Sequence, residues 1–140
     1  MKIAVRYQSR GGNTKAVAEA IAKTLNVQAE TIGTPIDEPV DILFIGGGVY
    51  MGDIDSILKE RLESLRPETV KSVAAFTTSG SMNGTGKIIS ILKGRDINTC
   101  EALSIKFFTR NLAWLGGKGY VTLSDKQIKS IENFVKQVTS

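Results

Sequence analysis

The chain has 140 residues, a net charge of +4, 41% hydrophobic residues and 23% charged residues, as expected of one ordinary globular domain. It contains no histidine and a single cysteine, Cys100. This composition excludes histidine-based catalysis, an intramolecular disulfide and a clustered-cysteine metal site in the chain. We therefore expect any redox chemistry to come from a bound cofactor.

The start of the chain and its charge pattern give expectations about location and partners. Met1 leads directly into a strand-like segment without a signal-peptide pattern, and no apolar run has the length of a membrane span. We predict a cytoplasmic protein with no membrane span. The basic residues are spread along the chain, without the basic stripe and stacking aromatics of a nucleic-acid-binding surface, so we expect no nucleic-acid partner.

Strand-like and helix-like segments alternate along the whole chain, which predicts a parallel sheet covered by helices. The predicted strands are 2–7, 27–32, 42–45, 72–77 and 102–107. The predicted helices are 14–25, 54–65, 87–93 and a last helix that begins with Ser124 and Gln127 in capping-box spacing. The apolar stripes of the second and last helices are predicted to bury Ile54, Ile57, Leu58, Leu62, Leu65, Ile128, Ile131, Val135 and Val138.

The composition of the strands indicates their order. Segment 42–45 is apolar at every position, as a strand buried on both faces should be, whereas the second and fifth segments alternate as edge strands do. This pattern favours one domain, 1–140, with a five-stranded parallel sheet in the order 2-1-3-4-5 inside a three-layer α/β sandwich. Such a sheet binds its ligand at the carboxyl ends of strands one and three, where the order reverses.

The loop after the first strand has the properties of an anion site. A loop that enters a helix offers free backbone N–H groups and the positive end of a helix dipole, and glycines let the backbone curl around a phosphate. The residues of this loop are Ser9, Arg10, Gly11, Gly12, Asn13 and Thr14. The alternative is a plain strand–helix turn with Thr14 as the helix cap.

The segment from Tyr7 to Thr14, followed by Ala18 and Ile21, resembles the signature of the flavodoxin family. The resemblance implies a flavodoxin-like fold that holds one FMN non-covalently. It also implies that the phosphate is held by Ser9, Gly11, Gly12, Asn13 and Thr14. We expect Arg10 to point to solvent, although it could supplement the charge. Arg6 departs from the family pattern, which has an aliphatic residue there, and requires a partner.

A second predicted site loop follows the third strand and is rich in glycine, which permits close approach to a flat ligand. Its residues are Gly46, Gly47, Gly48, Val49, Tyr50, Met51, Gly52 and Asp53. Met51-Gly52-Asp53 resembles the loop of short clostridial flavodoxins, in which the methionine lies against the ring and the Met-Gly peptide turns over on reduction. The resemblance implies that Met51 and Gly52 stabilise the one-electron-reduced flavin. The alternative is that Tyr50 and Met51 pack on the core.

The third predicted site loop follows the fourth strand and corresponds, by the resemblance, to the second flavin-binding loop. Its predicted cofactor-binding residues are Thr77, Thr78, Ser79 and Gly80. Flavodoxins usually place an aromatic residue here to cover the ring, and this chain has none. Our hypothesis is that Trp114, or Phe108, provides the cover; the alternative is that Trp114 packs beneath the last helix.

The resemblance as a whole implies an FMN-binding protein that shuttles electrons between redox partner proteins. A small FMN-dependent quinone or protoporphyrinogen-type dehydrogenase, a flavin reductase and a flavin-free binding domain remain alternatives. A nucleotide hydrolase is a weaker one, because Ser81 and Ile88 replace the first glycine and the Ser/Thr of a Walker A loop. The family's strong negative charge is absent, which predicts a reduction potential less extreme than that of acidic flavodoxins.

Overall fold

The computed structural model describes residues 1–50, 52–79, 84–107 and 121–140. The strands within these residues are β1 (Ile3–Gln8), β2 (Ala29–Thr31), β3 (Val40–Tyr50), β4 (Asp53–Ile54), β5 (Val70–Ser79), β6 (Asn98–Thr99) and β7 (Leu103–Lys106). The helices are α1 (Asn13–Leu25), α2 (Ser56–Ser64), α3 (Thr85–Lys93) and α4 (Asp125–Thr139). No helix in these ranges combines the length and the apolar character needed to cross a bilayer.

The sheet confirms the predicted order and adds two details. The path β2-β1-β3-β5-β6 is parallel throughout, and β7 continues beside β5 where β6 stops. The predicted fifth strand is therefore two short pieces, with the half-buried Cys100 at their junction. Strand β4 pairs with the end of β3 in antiparallel register, which closes a tight hairpin that the sequence prediction lacked.

Two apolar layers lie on opposite faces of the sheet, which gives the predicted three-layer architecture. Helices α1 and α4 cover one face around Phe44 and Phe76, with Phe134 of α4 edge-on to Phe44 at 5.6 Å between ring centroids. Helices α2 and α3 cover the other face around Leu43 and Ile45. The carboxyl ends of β1, β3 and β5 consequently lie at one edge between the two layers.

The glycine run after the third predicted strand belongs to β3 and not to a loop, so the predicted strand end at residue 45 was wrong. Gly46, Gly47 and Gly48 pair in register with residues 76–78 of β5. The strands approach so closely that a Cβ on Gly46 would lie 2.2 Å from the carbonyl oxygen of Phe76. Glycine is needed at Gly46 and Gly47 because a larger residue would collide with the side chains of Phe76 and Leu58.

Two predicted stripe residues are exposed instead of buried, namely Ile57 at 53% and Ile128 at 40%. Helix α2 begins only at Ser56, after the cap Asp55, so its buried face is carried by Leu58 and Leu62. In α4 the buried set is Ile131, Phe134 and Val135, which is a helical i, i+3, i+4 stripe. The capping box at Ser124 and Gln127 is confirmed by both of its hydrogen bonds.

Arg6 has the partners that the sequence required but did not identify. Its side chain is 11% exposed and lies 3.4 Å from a carboxylate oxygen of Glu30. It also donates hydrogen bonds to the carbonyls of Val5 at 3.1 Å, Thr34 at 3.1 Å and Pro35 at 3.2 Å. This buried arginine therefore fastens the segment between β2 and β3 to the sheet.

Candidate functional site

A cavity of about 190 Å³ opens at the carboxyl edge of the sheet, where the strand order reverses between β1 and β3. It lies on the face of the sheet that α1 covers. The cavity is lined by Ser9, Gly11, Asn13, Thr14, Gly48, Val49, Tyr50, Thr78 and Phe107. We call this cavity the cradle; the described residues that line it carry hydroxyl, amide and backbone groups, and none of them is charged at neutral pH.

The backbone at Gly12 brings the first loop into α1. Gly12 has φ 94°, a left-handed conformation that favours glycine, and its N–H donates to Ser9 Oγ at 3.0 Å. Because Gly12 has no side chain, it makes no capping hydrogen bond to the first turn of α1. An uncapped helix N-terminus beside a polar cavity is a favourable place for an anion.

Two hydroxyls join the first loop to β5 at the floor of the cradle. Thr14 Oγ1 and Thr78 Oγ1 lie 2.7 Å apart, and the two residues are only 2% and 5% exposed. The neighbouring Thr77 points to the opposite face, since its pairing partner Gly47 faces Leu58 of α2. Within the described ranges, Thr77 Oγ1 is a buried hydroxyl without a hydrogen-bond partner. Adjacent threonines thus have different roles.

Arg10 is held beside the cradle and not in it. Its Nε donates to Asp55 Oδ2 at 2.9 Å, and its guanidinium lies 4.2 Å from the centroid of the Tyr50 ring. The side chain is 60% exposed, as the sequence predicted, but it is not free in solvent. The ion pair and the ring contact fix the first loop against the start of α2.

Asp55 connects this arrangement to the helix behind it. Burial raises the pKa of Asp55, but the backbone N–H of Ile57 and the Arg10 guanidinium more than offset that effect and hold the pKa below its ordinary value. Asp55 Oδ1 accepts the Ile57 N–H at 2.9 Å and caps α2. For Tyr50 burial dominates and raises the pKa of the phenol, so this ring stays neutral at physiological pH.

Ion pairs hold the hairpin between β3 and β4 against helices α2 and α3. Tyr50 pairs with Asp53 across the turn, and Gly52 has φ 81°. Asp53 lies 3.0 Å from Lys59 Nζ of α2 and 3.1 Å from Lys87 Nζ of α3. Lys87 is therefore engaged in an ion pair at the position where a Walker A loop would use its lysine on phosphate.

Because of these two lysines, the contribution of Asp53 to stability depends on pH. Hydrogen bonds from Lys59, then Lys87, lower the pKa of Asp53 to about 2. Because the pKa is depressed in the folded state, the stabilisation is present above the unfolded value of about 4 and is lost as the pH falls towards 2. We expect Asp53→Asn to lower the melting temperature at pH 6, and the difference from the parent protein to shrink as the pH falls from about 4 to 2 and to vanish below 2.

A matched control for this measurement is Glu63→Gln, which removes one carboxylate from an exposed position of α2, the helix that carries Lys59. Thermal unfolding followed by circular dichroism at a series of pH values provides the readout. A difference between Asp53→Asn and the parent that stays constant from pH 6 to pH 2 would contradict the role assigned to the ion pairs.

The structure brings many of the predicted site residues together and leaves others aside. The predicted residues that line the cradle are Ser9, Gly11, Asn13, Thr14, Val49, Tyr50 and Thr78. Those that do not line it are Arg10, Gly12, Gly52, Asp53 and Thr77. Ser79 ends β5, and its side chain is outside the description. Met51, Gly80, Phe108 and Trp114 lie outside the described residues, so their predicted roles stay predictions.

Two lining residues were missing from the sequence prediction. Gly48 was assigned to the glycine-rich loop without a site role, although its register opposite Thr78 places it on the cradle face. Phe107 was read only as the end of the fifth strand. The alternation of that strand gave a signal, since Ile105 and Phe107 share one face, but the sequence did not show that this face meets the site.

Several solved structures share this architecture. A rubredoxin:oxygen oxidoreductase from Desulfovibrio gigas aligns with a TM-score of 0.74 and 14% identity over 98% of this chain and 35% of that chain. The two-electron reduced flavodoxin of Megasphaera elsdenii aligns at 0.63 and 14% identity over 95% of this chain and 97% of that one. A flavoprotein of Lactobacillus acidophilus in complex with FMN aligns at 0.58 and 18% identity over 74% and 92%. These identities establish a flavodoxin-like fold and no more.

The family follows from the sequence match. A model described as a flavodoxin domain matches residues 4–98, well over half of the chain. The chain therefore belongs to the flavodoxin-domain family. No curated protein matches it. The chain spans about a third of the length of the Desulfovibrio protein, which is consequently longer than the domain described here.

Proposed function

We propose that this flavodoxin-family domain binds FMN non-covalently and carries electrons between redox partner proteins. The observation that supports this most is the position of the cradle. It lies at the reversal of strand order, where ligands of doubly wound sheets bind, and the uncapped N-terminus of a 13-residue helix adjoins it.

The chemistry of the cradle fits a phosphate monoester. Helix N–H groups and hydroxyls donate hydrogen bonds to phosphate oxygens, and such charge-assisted bonds are about twice as strong as neutral ones. At about 190 Å³, the cavity is smaller than the ~300–1,000 Å³ of sites that enclose a drug-sized ligand. The cavity therefore suits the phosphate of the cofactor and the part of the cofactor attached to it, with the rest of the cofactor outside.

The roles of the residues follow from their contacts. Ser9, Asn13 and Thr14 would donate to the phosphate, and Thr78 would orient the Thr14 hydroxyl through their 2.7 Å contact. Asp55 draws Arg10 away from the cradle, so the anion would be held by dipoles and not by a paired cation. Bound FMN would supply the redox chemistry, because its ring accepts and releases electrons.

Comparison of FMN with riboflavin tests the phosphate cradle directly. Riboflavin lacks only the phosphate, and each hydrogen bond to a charged group contributes about 1.5–3 kcal/mol. With two or more such bonds, we expect FMN to bind at least about a hundredfold more tightly. Absorption spectra and quenching of flavin fluorescence measure both affinities. Equal affinities, or a crystal grown with excess FMN in which the cradle is empty, would contradict the proposal.

A redox titration of the loaded protein tests the expected electrostatics. The chain carries a net charge of +4, and positive surroundings favour the anionic, fully reduced flavin. We expect a second midpoint potential less negative than that of acidic flavodoxins. A very low second potential would be the opposite result. If the loaded protein alone turned over NADH as donor with a quinone as acceptor, it would be an enzyme and not a carrier.

A further inference from the structure

The connection between β2 and β3 is unusually short for parallel strands. It comprises residues 32–39, and none of these eight residues is helical. A parallel crossover commonly needs about 10–12 residues or more, most often with a helix that covers the sheet. Here the face of β1 next to β2 is covered by a loop, which Arg6 fastens through the carbonyls of Thr34 and Pro35.

A second cavity, of about 220 Å³, lies beneath this loop. Its apolar walls come from β3, the crossover and the residue after α2, and they consist of Ile32, Ile36, Leu43, Ile45 and Leu65. Apolar cavities of about 150 Å³ in protein cores already accept benzene. The volume therefore suits a ligand somewhat larger than one benzene ring.

The charged side chains that line this cavity are all arginines. Arg6 lies deepest with its side chain 11% exposed, Arg61 in the last turn of α2 is partly buried, and Arg66 is 70% exposed. No described acidic residue lines the cavity, although Glu30 lies 3.4 Å from Arg6 and Glu68 lies 3.5 Å from Arg66 outside its lining. A cavity with apolar walls and an arginine at its edge suits an amphipathic anion.

Arg61 is the arginine best placed to meet a ligand. Arg6 already donates to three backbone carbonyls and lies near Glu30, and Arg66 lies 3.5 Å from Glu68. We propose that this cavity binds a small aromatic or short aliphatic monocarboxylate, with its apolar body against Ile36 and Leu65 and its carboxylate on Arg61. Arginine suits this role because its planar fork matches a carboxylate in two parallel hydrogen bonds.

This site is separate from the cradle. Arg6 pairs in register with Ile45, which belongs to the apolar layer beneath α2 and α3, whereas Thr14 and Thr78 lie on the α1 face. Binding here does not require FMN, so it is tested on the flavin-free protein and is independent of the proposed electron transfer.

Two-dimensional amide NMR of the full chain, titrated with 4-methylbenzoate, tests the proposal. We expect saturable shifts at the amides of Ile32, Ile36 and Leu65, with a Kd of about 1 mM or below. The neutral isostere 4-methylbenzamide should bind at least about tenfold more weakly, since it lacks the charge that pairs with Arg61. Shifts confined to residues 9–14, no saturation up to tens of millimolar, or equal binding of the amide would each overturn the proposal.

Two variants locate the site. Arg61→Gln should weaken 4-methylbenzoate binding about tenfold or more, and Ser64→Trp, at an exposed residue of the cavity wall, should block entry. The matched control Lys93→Gln removes one positive charge from the last turn of α3, away from the cavity, and should bind as the parent does. Unchanged thermal unfolding shows that the variants are folded. Parent-like binding by Arg61→Gln would refute the role of Arg61.

Discussion

Replacement of Gly46 by alanine is expected to lower the free energy of unfolding by about 3 kcal/mol or more, among the largest effects of a single methyl group. The added Cβ would lie 2.2 Å from the carbonyl oxygen of Phe76 and 2.3 Å from its ring carbon Cδ2. Backbone and ring cannot both retreat, because Phe76 is fully buried and in register with Gly46. Strands β3 and β5 would have to separate at the centre of the sheet.

Gly86→Ala is the matched control for this prediction. Gly86 lies in α3, and a Cβ there would have no neighbour within 4 Å. Alanine in place of glycine in a helix should raise the free energy of unfolding by up to about 1 kcal/mol. Urea unfolding followed by far-UV circular dichroism measures both variants. If Gly46→Ala unfolded at the urea concentration of the parent, the close approach of the two strands would be disproved.

Thr78→Val is expected to weaken FMN binding about tenfold or more, and to lower the free energy of unfolding by about 1–3 kcal/mol. Valine preserves the shape and strand preference of threonine, so the change removes little besides the hydroxyl. Thr14, which is only 2% exposed, would then lose the 2.7 Å partner of its own hydroxyl. Both effects have one cause, namely an unsatisfied and disoriented hydroxyl at the floor of the cradle.

Thr77→Val provides the comparison one residue away. The Thr77 hydroxyl is buried without a partner among the described residues, and it faces away from the cradle. Its removal should leave FMN affinity unchanged, and the free energy of unfolding unchanged or higher by about 1 kcal/mol. Fluorescence titration and urea unfolding supply both numbers. If Thr77→Val weakened FMN binding as much as Thr78→Val, the cradle would be on the wrong face.

The neutral cradle has a consequence for the proposed carrier. Asp55 and Tyr50 hold Arg10 at the side of the first loop, through a 2.9 Å ion pair and a ring contact. An anion in the cradle would therefore be bound by many fixed dipoles, which cost little reorganisation because the first loop is already tied to α2. The same ties make the loop, the hairpin and the two helices behind them one connected unit.

Much of the architecture was predictable from the sequence because it depends on local and repeating signals. The alternation of strands and helices, the fully apolar third strand and the capping box at Ser124 and Gln127 each follow from side-chain periodicity or local hydrogen bonding. The turn from Ser9 to Thr14 was likewise predictable, because its own glycine, serine and asparagine residues favour a turn.

The failures share a different physical origin. Gly46 to Gly48 were assigned to a loop because glycine is a poor strand former, yet contact with Phe76 and Leu58 makes glycine necessary there. The exposure of Ile57 depends on where Asp55 caps α2, and the partners of Arg6 come from a loop almost thirty residues away. Contacts between residues that are far apart in the sequence cannot be predicted from the local pattern of side chains.

The sequence by itself determined the class of fold, the strand order and the loop that lines the cradle, since periodicity, turn chemistry and helix termini are local properties. Only the tertiary structure decided which of two adjacent threonines faces the cradle, that Arg10 pairs with Asp55, and that a short crossover leaves a second cavity lined by arginines. These outcomes depend on register and on packing between distant segments. A shift of one residue in register would exchange the roles of Thr77 and Thr78.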